Sequence, residues 1–222
     1  MPAILFGSMS TIADTSELQR EAFNQAFQEH GLDWNWSREE YQPLLQSSGG
    51  QQRVADYASE RGEDVDAAAV HQTKSSLAQE QIKGGVTARP GVVETIKAAK
   101  EAGDKVGLVT TTARENLDAL FDGLSDVSAD DFDVITDGSS VEDSKPDPSA
   151  YAKALEDLGE DASTAVAIED NVIGLQSAKA AGITAVAFPN ENTSQHDFGT
   201  ADERVDALAY DRLHELAGGA AA

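Results

Sequence analysis

Five short runs of strand-forming residues constrain this chain more than any other feature. They are Ala3–Phe6, Val106–Thr111, Asp133–Thr136, Thr164–Ile168 and Ile183–Phe188. Between the later runs lie segments with helical spacing, at Val92–Glu101, Arg114–Leu120, Ser149–Leu158 and Gly174–Ala181. In the first of these, Val92, Val93, Ile96 and Ala99 share one face. Alternation of strands with amphipathic helices predicts a Rossmann-like α/β core, a parallel sheet with helices on both faces. Residues 16–82 break the alternation. Leu18, Ala22, Phe23, Ala26 and Phe27, then Tyr41, Leu44 and Leu45, then Val54, Tyr57 and Ala58 all follow helical spacing, and Ala67–Gln81 reads as a polar helix. With no strand pattern there, 16–82 reads as a helical insertion, and 1–15 with 83–222 as the core.

Charge narrows the function. The 222 residues include 40 acidic and 16 basic side chains, a net −24. A surface that grips nucleic acid is basic, so a nucleic-acid partner is not expected. Disorder is not expected either, because 40% of residues are hydrophobic and their periodicity is strong. A folded protein with a solvated acidic shell suits concentrated salt, where a Debye length of ~3 Å at ~1 M screens self-repulsion. Cysteine is absent, which excludes disulfides and thiolate metal sites. No run approaches the ~20 apolar residues of a membrane span, and the opening MPAILFGSM lacks a basic leader pattern. The expectation is a soluble, cytoplasmic protein without a membrane partner.

Open parallel sheets bind ligands at the carboxyl ends of their strands. Here those ends carry Gly7 to Thr11, Thr110-Thr111-Thr112, the segment Ser144-Lys145-Pro146-Asp147-Pro148, and Glu169-Asp170-Asn171. Singly they say little: Thr110 satisfies β-propensity, and Lys145 reads as a surface lysine. Glu169 and Asp170 repel each other and together cap no obvious helix, so a cation partner is expected.

In this order and spacing, the hydroxyl, the lysine and the acidic pair resemble the second, third and fourth motifs of the haloacid dehalogenase superfamily. The helical insertion resembles that superfamily's four-helix cap, and Ala88–Val92 its return to the core. The segments 31–36, 41–45 and 49–53, the Thr110–Thr112 run with Asn116, and His196-Asp197-Phe198 with Ala201 resemble the CbbY group. That group contains xylulose-1,5-bisphosphate phosphatases. The resemblance implies phosphate contacts from Thr110, Thr111 and Lys145, and substrate or cap contacts from Gly49, Gly50, Arg53 and Asn116. It also implies magnesium, with Asp170 and Glu169 as candidate ligands, while the departures of this chain lead to the expectation that its binding is weak or absent.

The first motif departs. Where the family has Phe-Asp-x-Asp-Gly-Thr-Leu, this chain has Phe6-Gly7-Ser8-Met9-Ser10-Thr11-Ile12. The resemblance makes the first aspartate nucleophile and metal ligand, and the second the general acid/base. Gly7 cannot form an aspartyl-phosphate and Met9 cannot carry a proton. Ser16, Gln19 and Gln51 replace an acidic residue, a histidine and a lysine of the family pattern. Ser8 is not expected to take over as nucleophile, since strand alternation turns it away and no histidine lies near. His196 alone among the histidines is expected within reach of the site; His30, His71 and His214 read as solvated or cap residues. The main expectation is a non-catalytic binder of a phosphorylated metabolite or a protein partner. The alternative is an active, magnesium-dependent sugar-phosphate phosphatase.

Overall fold

The computed structural model describes residues 1–46 and 49–219, so the last three residues of the expected core lie outside it. In chain order, β1 (Ala3–Phe6) is followed by α1 (Met9–Ile12), α2 (Ser16–Glu29), α3 (Arg38–Leu44), α4 (Gly50–Arg61) and α5 (Ala67–Lys83). Then come α6 (Val92–Ala102), β2 (Lys105–Val109), α7 (Arg114–Gly123), β3 (Val134–Thr136) and α8 (Ser149–Leu158). The chain ends with β4 (Ala165–Glu169), α9 (Val172–Ala180), β5 (Thr184–Ala187), β6 (Glu203–Arg204) and α10 (Tyr210–Leu216). The strands form one parallel sheet in the order β3-β2-β1-β4-β5-β6. β6 has only two residues, too few to show a period in the sequence.

Side-chain alternation builds two cores from one sheet. Ile4, Phe6, Val106, Leu108, Val166 and Ile168 face one side, where Val92 and Ile96 of α6, Leu117 of α7 and Leu213 of α10 cover them. Ala3, Leu5, Ala165, Ala167, Ala185 and Ala187 face the other, beneath Tyr151 and Ala154 of α8 and Leu175 and Ala178 of α9. The four helices α2 to α5 form the helical cap around a third cluster that includes Phe23, Phe27, Trp34, Trp36, Tyr41 and Val70. The Trp36 ring lies 4.7 Å from that of Phe27 and 4.9 Å from that of Phe23, and the Trp34 ring 5.2 Å from that of Phe27, so both tryptophans pack the cap.

Strand register places the site. Phe6 pairs with Leu108 on one side and Ile168 on the other. Gly7, Val109 and Glu169 therefore emerge at one level, with Thr110 and Asp170 just beyond. The two chain crossings between core and cap meet at an antiparallel bridge between Ala13 and Ala88. Next to it the half-buried Arg89 donates to the carbonyls of Ser10 (3.0 Å), Phe188 (2.8 Å) and Pro189 (2.6 Å), tying the first motif to the end of β5.

Candidate functional site

A cleft of about 490 Å³ opens between the strand ends and the cap. Gly7, Met9, Gly49, Gly50, Arg53, Thr110, Thr111, Asn116, Lys145 and Asp170 all line it, together with Lys74 and His71. Although the chain as a whole is acidic, Asp170 is the only carboxylate among the described lining residues, against Lys145, Arg53 and Lys74.

At the core end, Lys145 is held by the protein itself. Its ammonium donates to the carbonyl of Gly7, to the Val109 carbonyl at 2.8 Å and to Glu169 Oε1 at 2.6 Å. An ammonium has three N–H donors, so all three are occupied, and the phosphoryl contact expected of Lys145 requires displacing one. Glu169 is the second departure from expectation. It is fully buried rather than turned to the cleft beside Asp170, and it also accepts from the Tyr151 hydroxyl at 2.8 Å. Burial pushes its carboxyl up from the usual range, against the pull of Lys145. The reason it can lie there is steric. A Cβ at position 7 would stand 2.1 Å from Glu169 Oε1 and 2.4 Å from the Tyr151 hydroxyl, and one at position 174 would stand 2.1 Å from Glu169 Cδ. Two glycines leave the slot that this carboxylate fills. The backbone of Gly7 is not left-handed, so the conformation does not itself demand glycine.

Asp170 stays at the cleft wall and is satisfied by neutral donors. Its Oδ1 accepts from the Ser8 hydroxyl at 2.7 Å and from the Asn171 amide at 2.8 Å, and its Oδ2 from the Asn190 amide at 2.8 Å. Ser8 therefore faces the site. The alternation expected to turn it away does not reach it, because β1 ends at Phe6. Magnesium, implied by the resemblance, requires near-octahedral oxygen ligands. The residues present do not fit it: Glu169 is lodged in its slot, Asp170 is bonded to three donors, and among the described residues no three His, Cys, Asp or Glu side chains gather for a metal. Met9 instead packs into the core cluster around β1.

Neighbouring hydroxyls complete the core end. The Thr110 hydroxyl accepts from the Thr112 amide at 3.1 Å, while the Thr112 hydroxyl accepts from Asn116 at 2.8 Å. Asn116 in turn accepts from Gln79 of α5 at 2.9 Å, linking core to cap.

The cap end carries the cations. Arg53 and Lys74 are each 8% exposed. Arg53 donates to the Leu44 carbonyl at 2.8 Å. Lys74 donates to Gln19 and lies 4.6 Å from the Phe23 ring centroid, with no carboxylate in ion-pair contact among the described residues. Burial first, and then Arg53, pushes the Lys74 amine down to about 7. His71 stands beside them, where a Cβ on Gly50 would meet its Nε2 at 2.7 Å. Burial, then Lys74 and Arg53, hold that imidazole below its ordinary value. His71, not His196, is thus the histidine of the cleft: His196 Nε2 is bonded to the Gln42 carbonyl at 2.9 Å, outside the lining. The sequence reading missed Lys74 and Asn190. The signal for Lys74 was present, since His71, Lys74, Ser75 and Gln79 fall on one stripe of a helix. Asn190 lies in an irregular loop and offered none.

Comparison with known proteins agrees with this architecture. Residues 4–188 match the family described as haloacid dehalogenase-like hydrolase. The chain is 40% identical over 214 residues to protein CbbY of Rhodobacter capsulatus, covering 94% of each. It is also similar to a solved mutant of CbbY from Rhodobacter sphaeroides in complex with xylulose-(1,5)bisphosphate, with TM-score 0.84, 36% identity and coverage of 93% of this chain and 95% of that one. The CbbY structure from the same organism in complex with phosphate gives TM-score 0.83 at 36% identity, covering 99% and 97%. No helix among the described residues is long and apolar enough to cross a membrane.

Proposed function

Because this chain belongs to the haloacid dehalogenase-like hydrolase family, we propose that its cleft recognises a phosphorylated sugar, with residues 16–82 as the cap over it. The observation that carries this reading is the reversal of charge. A chain with 40 acidic and 16 basic residues lines this core–cap cleft, among its described residues, with Lys145, Arg53 and Lys74 against Asp170, and of these cations Lys145 is paired with Glu169 behind the wall. Lys74 is buried there without a carboxylate partner among the described residues, a costly arrangement that an anionic ligand relieves. Hydroxyls and amides of Ser8, Thr110, Thr112 and Asn171 suit a polyol.

On hydrolysis the likeness to CbbY favours the phosphatase alternative over the non-catalytic binder that the first motif leads one to expect. The local chemistry sets a condition on that alternative. Residue 7 has no side chain to attack phosphorus, so hydrolysis by this chain cannot pass through an aspartyl-phosphate at that position. Loss of a catalytic nucleophile costs roughly a million-fold in kcat.

The test is a binding isotherm for xylulose-1,5-bisphosphate in molar potassium chloride, run beside phosphate release with and without magnesium. Saturable binding that weakens about ten-fold or more in Arg53→Ala or Lys74→Met, with release far below ordinary rates of roughly 1–10³ s⁻¹, is the expected result. Release within that range establishes the phosphatase. Absence of saturable binding for this and other sugar phosphates sinks the ligand class.

A further inference from the structure

We infer that the core end of this cleft operates without a divalent cation, its metal position closed by the protein's own side chains. Two independent arrangements lead there. Glu169, one of the two carboxylates implied as magnesium ligands, lies in the slot between Gly7 and Gly174 and is bound to Lys145 and Tyr151. To reach the cleft it must leave a fully buried ion pair. Asp170, the other, accepts three hydrogen bonds from Ser8, Asn171 and Asn190. A carboxylate offers about four lone-pair sites, so a cation there finds about one open and has to displace donors already in place to gain more.

These donors are themselves anchored. Asn171 accepts from the Gly174 amide at 2.8 Å through its side-chain oxygen while its amide nitrogen holds Asp170. Asn190 accepts from the backbone amides of Asn192 (2.9 Å) and Thr193 (3.1 Å) with its oxygen, which fixes its own amide nitrogen toward Asp170. The Thr193 hydroxyl also donates to the Asp170 carbonyl at 2.6 Å. Rotating either asparagine away from Asp170 breaks further bonds. The glycine at 7 thus does more than remove a ligand: it creates the space that keeps Glu169 from serving as another.

The inference is tested with magnesium, and with manganese as its paramagnetic stand-in, on the full chain in molar potassium chloride so that the acidic surface is screened. The parent is expected to show no saturable manganese site at ~1 mM or below, a generous limit beside the tighter protein sites for divalent cations. A sub-millimolar site that Asp170→Asn removes would overturn the inference. Gly7→Asp is the converse experiment. Its side chain evicts Glu169 from the slot, and manganese affinity is expected to rise about ten-fold or more. A folded Gly7→Asp protein with unchanged affinity would show that Glu169 is not what closes the site. If that variant does not fold, the parent and Asp170→Asn titrations still decide. No sugar is present in these measurements, so their failure and that of the ligand class proposed above are separate results.

Discussion

Replacing Gly7 with alanine adds one methyl group beside the slot that holds Glu169. The backbone there is compatible with alanine, so an unobstructed Gly→Ala change would stabilise by about 0.4–1 kcal/mol through the unfolded state. The new Cβ, however, would stand 2.1 Å from Glu169 Oε1 and 2.4 Å from the Tyr151 hydroxyl. The carboxylate is the flexible partner and must leave, abandoning Lys145, which is 9% exposed as a side chain. Breaking a buried ion pair costs about 3–5 kcal/mol. Net of the backbone gain, Gly7→Ala should destabilise by roughly 2–4 kcal/mol. Glu169→Ala should cost a similar amount for the same reason, and the double variant no more than Glu169→Ala alone, because the collision is gone. Urea unfolding in fixed molar salt gives all four corners of the cycle, with an expected coupling of about 2 kcal/mol or more. Additive losses, or a Gly7→Ala protein as stable as the parent, would refute the slot.

Two further predictions follow from charge. Sulfate, which does not titrate near neutrality, should bind more tightly as pH falls through about 7, where Lys74 gains its proton, by up to about ten-fold per unit above that value. His71 is held below its usual value and stays largely neutral there, so Lys74→Met should give a weak, flat profile, and a flat profile in the parent would contradict this account. Without ligand the sign for stability is opposite. The folded amine is depressed to about 7 and the unfolded one titrates near ~10.4, so the folded state binds fewer protons between them and this residue's contribution to stability rises across that window and levels off below it. With a net charge of −24, the melting temperature should climb steeply from low salt to molar potassium chloride; no change across that range would remove the case for a salt-adapted protein.

The sheet was legible because its strands are short, apolar and separated by helices of clear period, and the cap because no strand pattern interrupts its helical spacing. The strand ends followed from a general rule about open parallel sheets, and the structure gathers Thr110, Lys145 and Asp170 around one cleft. What stayed hidden depends on distance between segments remote in sequence. Glu169 and Asp170 are adjacent, yet one points into the core and the other to the cleft, and nothing in two neighbouring acids says which partner each will find. Asn190 reaches Asp170 from a loop twenty residues on. Ser8 was misassigned because alternation was extended past Phe6, where the strand stops.

Likeness over the whole chain and a first strand end without carboxylates at positions 7 and 9 are compatible, because a fold rests on many residues and a site on few. Identity of 40% extends over 94% of the chain, and a fold is held by many positions that each contribute a small share of stability. Chemistry by the aspartyl-phosphate route rests on few side chains, and the sheet register holds without a carboxylate at position 7: Gly7 donates to Ile168 at 2.7 Å as the next rung beyond Phe6. Introducing an aspartate at position 7 is therefore not a simple gain of one ligand. An aspartate there must first expel Glu169 from between positions 7 and 174, after which Lys145 needs a new partner. The two glycines, the lysine and the glutamate form one interlocked unit, and the unit, not residue 7 by itself, determines what this end of the cleft can bind.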